Sequence, residues 1–385
     1  MIKIKKKKKK GTNFRVCEVY LEGDSKVRLT QKKFTIPDYA KCGQSDVLFD
    51  FLADSVLTFI TENNIPTESD IPLGFTFSFP VNQTAIDKGY LMVWTKGFDC
   101  KDTINKDVVA LLNEALARKN VKVHVTALVN DTVGTLMSHA YNDPGTFVGV
   151  ILGTGTNAAY VEKVSAIPKW KGGPVESGEM IINCEWGAFD NERVVLPFNK
   201  YDQKMDEEST NPGEQTFEKM ISGMYLGEIV RQVIVELVQR RILFGGVSSP
   251  EIETPYKFET AYMSRIERDH TSDLLDTKMV LQELLNIPYP APRDRRIVRR
   301  ICELVATRAA RLSAVGVAAV VTKMERVNDG CTVAIDGSVY EHYPHFGNRM
   351  KDALHELLGM FEENVNIVLG KDGSSVGAGV IAALA

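Results

Sequence analysis

The sequence predicts an α/β protein of two lobes, and three observations carry that expectation. Strand-like and helical apolar runs alternate through residues 71–141. A strand leading from a Gly-Thr-Asn turn near the N-terminus is echoed by "ILGTGTNAAYV" after Pro144-Gly145, which points to an internal duplication. The chain has 385 residues, 44% hydrophobic and 25% charged, which suits about two compact lobes.

The elements follow in order. Residues 14–36 alternate in short apolar pieces around Gly23-Asp24 and predict two or three antiparallel strands. Ser45 suits the N-cap of a helix that carries Leu48, Phe49, Leu52, Val56, Phe59 and Ile60 at helical spacing. "PLGFTFSFPV" reads as a strand, "DVVALLNEALARKN" as a helix, "VKVHVTALV" as a strand and "DTVGTLMSHAY" as a helix. "TFVGVILGTGTNAAYVEKV" is two strands joined by a glycine turn. Long helices are expected at about 216–243 and 297–325, with Pro and charged residues breaking the stretch between them into shorter helices and loops. The strand "CTVAIDGSVY", a helix from about Gly347, the strand "NVNIVLG" and a small-residue helix from Ser374 to Ala385 complete the pattern.

Composition narrows the function. The formal net charge is −4 although Lys5–Lys10 is an unbroken lysine run, so the body of the protein is acidic and nucleic acid is not an expected partner. The six cysteines are scattered without metal-ligand spacing and read as reduced thiols of an intracellular protein. No apolar run is expected to approach the roughly 18 residues of a membrane span, and no apolar leader region stands at the start. The expectation is a cytoplasmic protein without a membrane span, a monomer or weak homodimer.

Three kinds of stretch carry chemistry. In "LVNDTVG", Asn130 and Asp131 stand where a strand ends and a helix begins, the end that faces ligands in α/β sheets. Asp131 is there either an N-cap or a general base. "LGTGTN", Leu152–Asn157, is either a plain hairpin turn or a cradle of backbone N–H groups for phosphate, and it lacks the P-loop pattern. "FSFP", "WTKGF" and "NCEWGAF" place Ser78, Thr95, Lys96 and Glu185 beside aromatic residues, a mixture of donors and acceptors that sugar hydroxyls need.

Taken in order with "NPGEQTFEKMISGMYLGE" and "AIDGSVY", these stretches resemble the hexokinases, fungal ones above all, from Gly11 to Ala385. The resemblance implies an actin-like ATPase (ribonuclease H-like) duplicated fold. Its small lobe would be residues 1–128, completed by the helix 374–385, and its large lobe residues 129–373, around a sugar and ATP cleft. It implies transfer of a phosphoryl group from ATP, with Mg²⁺, to the 6-hydroxyl of a hexose: glucose, with fructose or mannose, as the first step of glycolysis. Asp131 then matches the catalytic base. Ser78, Thr95, Lys96, Asn130, Asn157, Glu185 and Glu218 match the sugar contacts, Lys96 also lying near the transferring phosphoryl group. Thr154 matches a contact to ATP phosphates, and Gly11, Thr12 and Asn13 belong to the first phosphate turn. Gly223, Met224, Thr260, Ser264, Gly337 and Ser338 match nucleotide-side positions. No protein metal ligand is assigned.

One stretch departs from the family. Its first phosphate turn resembles Asp-Leu-Gly-Gly-Thr-Asn, and here Lys8 and Lys10 replace the aspartate and the first glycine. An ammonium about 4 Å from a single positive charge is repelled by roughly 4 kcal/mol at an effective dielectric of 20, and Mg²⁺ carries two such charges. The family also has a longer N-terminal segment whose strand forms a sheet edge, and the lysine run reads as a disordered replacement for it. Alongside the enzyme stands an alternative: a hexokinase-like sugar-binding or regulatory protein with little catalysis.

Overall fold

The computed structural model describes residues 2–6, 12–23, 25–67, 70–94 and 98–385; for 2–6, 12 and 13 it describes the backbone. Two compact units emerge, unit 1 from Met1–Gly149 with Gly370–Ala385 and unit 2 from Val150–Leu369.

The sheet of unit 1 contains β1 (Ile2–Lys6), β2 (Thr12–Gly23), β3 (Lys26–Ile36), β4 (Ile71–Thr76) and β7 (Val123–Val129); β5 (Val81–Ala85) and β6 (Lys88–Leu91) form a separate hairpin. Its order is β3-β2-β1-β4-β7. β2 and β3 make the expected antiparallel hairpin, with Gly23 at φ 79° accepting the turn, while β4 runs parallel to both β1 and β7. Period-two alternation gives the sheet two apolar faces. Phe14, Val16 and Phe75 pack with Phe49, Leu52 and Leu112 of helices Ser45–Glu62 and Val108–Arg118. Cys17 and Val129 pack with Ala378 of helix Gly373–Leu384. That helix lies so close to helix Asp131–Ala140 that a Cβ on Gly377 would fall 1.8 Å from the Gly134 carbonyl oxygen, so only glycine fits. Phe75 has no exposed surface, and cutting it to Ala would cost about 3–5 kcal/mol.

Unit 2 repeats the plan with β8 (Thr146–Leu152), β9 (Thr156–Lys163), β10 (Glu179–Asn183), β11 (Cys331–Asp336) and β12 (Val365–Leu369), in the order β10-β9-β8-β11-β12. The echo of the glycine turn in the sequence is therefore matched by a repeated strand order. All six residues of β11 are buried, as a parallel strand covered on both faces requires.

Four expectations are corrected. Lys5 and Lys6 are not a disordered insert: they belong to β1, where they pair with Asn13 and Thr12, and β1 sits third of five strands rather than at an edge. Ladder bonds use backbone N–H and C=O groups that lysine has like any other residue, and Ile2-Lys3-Ile4 begins the alternation upstream of the run. Lys7–Gly11 lie outside the described residues. Ser45 is the first residue of its helix rather than a side-chain cap; its N–H and Oγ both donate to the Asp102 carboxylate, at 2.9 and 2.5 Å. The expected helix 216–243 is two, Thr216–Ile221 and Leu226–Gln239, for a reason given below. Finally, helix Pro292–Lys323 is long and apolar enough to cross a membrane by length and composition, against the expectation that no such segment exists. Here it packs on helices Leu226–Gln239, Thr260–Glu267 and Phe346–Leu358, burying Val298, Val305, Ala309 and Val317 among others.

Candidate active site

In unit 2 the second glycine turn gathers most of the nucleotide-side positions. The Gly153 N–H donates to the Gly155 carbonyl at 3.0 Å, closing the turn between β8 and β9. Gly223 and Met224 donate their N–H groups to the carbonyls of Gly153 and Thr154, at 2.8 and 3.1 Å. This docking is why the helix breaks at Ser222–Tyr225: a Cβ on Gly223 would stand 2.9 Å from the Gly153 oxygen, and a continuous helix would have no free N–H to offer. Gly337 approaches from the end of β11. It holds φ 131°, and a Cβ there would meet the Leu152 carbonyl oxygen at 2.3 Å. Thr154, Met224 and Ser338 are exposed beside these close backbone contacts, so Thr154, Gly223, Met224, Gly337 and Ser338 form one group.

Thr260 and Ser264 lie on helix Thr260–Glu267. The Thr260 hydroxyl accepts the Gly227 N–H at 2.9 Å, and the Ser264 hydroxyl reaches the His342 carbonyl at 3.5 Å. Thr260 thus ties its helix to the one that follows Met224, and Ser264 abuts the end of helix Ser338–His342.

Three sugar-side positions also come together in unit 2. The Glu218 carboxylate accepts the Thr156 N–H at 2.9 Å, and a Cβ on Gly155 would collide with its Oε2 at 2.5 Å. The Asn157 Nδ2 donates to Asn183 Oδ1 at 2.7 Å and to Glu185 Oε1 at 3.2 Å, while Asn183 Nδ2 donates to the same Glu185 oxygen at 2.9 Å. Beneath them the Trp186 indole N–H donates to the Thr156 hydroxyl at 3.0 Å, and that hydroxyl donates to the Ile151 carbonyl. Two carboxylates and two amides, each already held by at least one partner, make a surface that can pair with a ring of hydroxyls.

A buried charge pair secures the helix that presents Glu218. Lys219, with no exposed side-chain surface, donates to Asp206 at 2.5 Å and to the Asn211 carbonyl at 2.6 Å. Burial opposes ionisation of Asp206, but the Lys219 ammonium, the Gly213 N–H and Arg193 outweigh it and hold the carboxyl below the usual carboxylate range.

In unit 1, Ser78 and Asn130 follow the carboxyl ends of the neighbouring parallel strands β4 and β7, and the Phe77 N–H donates to the Val129 carbonyl at 3.0 Å. Asn130 caps helix Asp131–Ala140 by accepting from the Thr132 N–H at 3.0 Å. Asp131 is the first residue inside the helix, so its carboxylate does not serve as the cap. Thr95 and Lys96 lie outside the described residues, between Trp94 and Phe98, whose rings stack at 5.3 Å. Gly11 also lies outside them, and Thr12 and Asn13 open β2.

Reading of the sequence missed Asn183 and Gln215. Asn183 stood inside the quoted "NCEWGAF" and was passed over because its partners are 26 residues away and two residues on. Gln215, at φ 58°, precedes the Glu218 helix, and its side chain would be struck by a Cβ on Gly187.

No group of three or more His, Cys, Asp or Glu residues that could hold a metal occurs among the described residues. Mg²⁺ is usually carried by substrate phosphates with one or two carboxylates rather than by a protein cage. The close packing around Thr154, which a Cβ on Gly223 or Gly337 would break, leaves the exposed Thr154 and Ser338 side chains to meet the phosphates that would bring it.

Two family profiles described as hexokinase match the chain, one over residues 10–141 and the other over 147–384. Hexokinase-2 of Arabidopsis thaliana is 44% identical over 97% of this chain and 76% of its own length. Hexokinase-2 of Saccharomyces cerevisiae is 44% identical over 97% of this chain and 79% of its own, so plant and fungal relatives are equally similar. A solved structure of hexokinase from Schistosoma mansoni complexed with glucose superposes with a TM-score of 0.89 at 38% identity, covering 100% of this chain and 85% of that one. A ROK family glucokinase from Streptomyces griseus, with glucose and AMPPNP, covers 100% of this chain and 99% of that one with a TM-score of 0.54 at 12% identity, a likeness of fold alone.

Proposed function

The chain belongs to the hexokinase family, and we propose that it transfers a phosphoryl group from MgATP to the 6-hydroxyl of a hexose. The observation that carries this reading is the group of Asn157, Glu185 and Glu218 around the start of β9, anchored by Asn183 and the Thr156 N–H. Carboxylate oxygens accept from sugar hydroxyls in a way that rewards a polyol and penalises an apolar ligand. The glucose-bound relative from Schistosoma mansoni supports the same substrate class.

The proposed roles accord with where the described residues stand and, for Thr95 and Lys96, which lie outside them, rest on the family resemblance alone. Asn157, Glu185 and Glu218, with Ser78, Thr95, Lys96 and Asn130, bind and orient the sugar. Asp131, relieved of capping by Asn130, takes the proton from the attacking hydroxyl. MgATP is held through Thr154, Gly223, Met224, Gly337 and Ser338: the N–H groups of Gly223 and Met224 are spent on the Gly153 and Thr154 carbonyls and shape the turn, while exposed Thr154 and Ser338 are left to meet the phosphates. Magnesium supplies neutralisation of the charge on the phosphates. Lys96 adds positive charge at the transferring group. Glucose, fructose and mannose are the proposed acceptors, in the first step of glycolysis, by a cytoplasmic monomer or weak homodimer.

A second reading, favoured by Lys8 and Lys10 in place of the family's aspartate and glycine, is a sugar-binding protein with little catalysis. Calorimetry with glucose and a coupled assay of ADP release separate the two. The enzyme reading expects binding and glucose-dependent turnover. Binding without turnover selects the second reading, and no binding at tens of millimolar glucose by the folded chain sinks both.

A further inference from the structure

We propose that Asn183 is a positioning residue of the hexose site: it decides which atoms of Glu185 and Asn157 are left for the sugar. The inference deepens the hexose reading above and rests on it.

The geometry is a closed triangle. Asn157 Nδ2 donates to Asn183 Oδ1 at 2.7 Å, Asn183 Nδ2 donates to Glu185 Oε1 at 2.9 Å, and Asn157 Nδ2 donates to that same oxygen at 3.2 Å. The Asn157 Oδ1 accepts the Ala158 N–H at 2.7 Å. Both hydrogens of the Asn157 amide are therefore spent, and one lone pair of its oxygen as well. Glu185 Oε1 takes two amide donors, which leaves Oε2 to accept from a ligand. Toward a sugar, then, Asn157 and Glu185 present acceptors, and the hydroxyls that meet them must donate.

The backbone is arranged for this. β10 ends at Asn183, which lies opposite Ala159 on β9, so Asn183 and Asn157 are diagonal neighbours on one face of the pair. The chain then turns through Glu185 at φ 49°, a left-handed conformation that a residue other than glycine adopts at a cost. Through that turn the Glu185 carboxylate comes back to the amide two residues before it. Without the Asn183 amide, Asn157 would lose the nearer of the two acceptors of its amide, and Glu185 would keep one donor instead of two.

Asn183 is exposed, so its side chain adds little to the core and its removal should leave the fold intact. The test compares the unaltered chain with Asn183→Ala and Asn183→Asp, by glucose calorimetry from pH 5 to 8 and by thermal unfolding. Asn183→Ala should weaken glucose about ten- to thirtyfold, as loss of a hydrogen bond to a charged group does, with an unfolding temperature within a few degrees of the original. In the turnover assay the KM for glucose should rise by a similar factor, and the KM for ATP should stay within about twofold.

Asn183→Asp gives the sharper reading. It sets a second carboxyl against Glu185, and two such groups share a proton at low pH because both cannot ionise freely at that distance. The introduced carboxyl, when protonated, can donate to Glu185 as the amide did, so near pH 5 affinity should approach that of the unaltered chain. As pH rises and the shared proton leaves, the pair repels and affinity should fall about tenfold or more. Of the neighbouring groups, the Cys184 thiol is pushed up to about 12 by burial and then by Glu185, and the Tyr160 hydroxyl is pushed up by burial and then by Glu162, so neither titrates in this range. Glu218 is common to all three chains. Glucose affinity in Asn183→Ala within twofold of the original, or an Asn183→Asp profile parallel to the original, overturns the inference alone. Absence of glucose binding by the unaltered chain overturns it together with the hexose reading.

Discussion

β1 and β2 in unit 1 and β8 and β9 in unit 2 occupy matching places in two sheets of the same strand order, and in both pairs the link ends in a glycine followed by the Thr-Asn that opens the second strand. Before those three residues the segments differ: Leu152-Gly153-Thr154 in unit 2, Lys8-Lys9-Lys10 in unit 1. The strands accept the difference. Lys5 and Lys6 pair with Asn13 and Thr12 because a ladder asks only for backbone groups. The chemistry is expected to accept it less readily, for in unit 2 the turn is closely packed: a Cβ on Gly223 would stand 2.9 Å from the Gly153 oxygen and one on Gly337 2.3 Å from the Leu152 oxygen. Fold and phosphate binding thus depend on different properties of the same few residues, and a sequence can keep one while losing the other.

The largest expected effect tests whether the rest of the machinery is intact. Asp131→Asn, made in a chain whose first turn has been restored, should lower kcat by about 10²–10⁴. Because Asn130 holds the cap, the unfolding temperature should hardly move. Unchanged turnover would remove Asp131 from the mechanism and leave the comparison of turns without its assumed partner.

Next comes the restoration itself. Lys8→Asp with Lys9→Leu and Lys10→Gly should raise glucose-dependent ADP release by at least roughly a thousandfold, the equivalent of the ~4 kcal/mol repulsion between an ammonium and one of the two positive charges of Mg²⁺. Glucose affinity should change little, since its contacts come from other segments. Full activity in the unaltered chain would show that unit 1 tolerates lysines where unit 2 has a glycine turn.

Gly337→Ala probes the unit 2 side of the comparison. The new methyl would lie 2.3 Å from the Leu152 oxygen on a residue at φ 131°, so the turn must shift. Strain of about 1–3 kcal/mol should appear as a rise of roughly five- to 150-fold in the KM for ATP, with glucose affinity within about twofold. An equal loss of both would mean that the change spreads to Glu218 rather than staying at the phosphate turn.

The same contrast explains what could be read from the sequence. Strands β2 to β4, the helix from Asp131 and the β8–β9 turn were legible because alternation, helical spacing and glycine are local signals. Asn157, Glu185 and Glu218 were legible through ordered motifs. The break at Ser222–Tyr225 was not: Gly223 sits in an apolar periodic stretch where an isolated glycine reads as tolerated, and its reason is a carbonyl far back in the chain, at Gly153. Asn183 escaped for a similar cause, since its partners define it. β1 escaped because a lysine run draws attention to side chains, whereas its place in the sheet rests on the backbone.

The smallest effect separates neighbours within one run. Lys5 and Lys6 lie in β1 and Lys8 and Lys10 beyond it, although all four belong to the same stretch of lysines. Lys5→Thr with Lys6→Thr keeps every N–H and C=O of the pairing and exchanges lysine, which strands disfavour mildly, for a β-branched residue that they favour. Stability in urea should therefore rise, by no more than about 1 kcal/mol, the span of measured strand preferences. Turnover and glucose affinity should stay within about twofold, because neither residue stands at a position of the phosphate turn. The double change thus serves as the control for restoring the turn: it removes lysines from the same run, as the triple replacement at Lys8–Lys10 does, but from the strand. If activity rose in both, the benefit would come from lowering the overall positive charge near the nucleotide, acting over about one Debye length, and not from the identity of the turn. If activity rises only in the triple replacement, the strand and the turn are separable, as the backbone pairing of Lys5 and Lys6 leads one to expect.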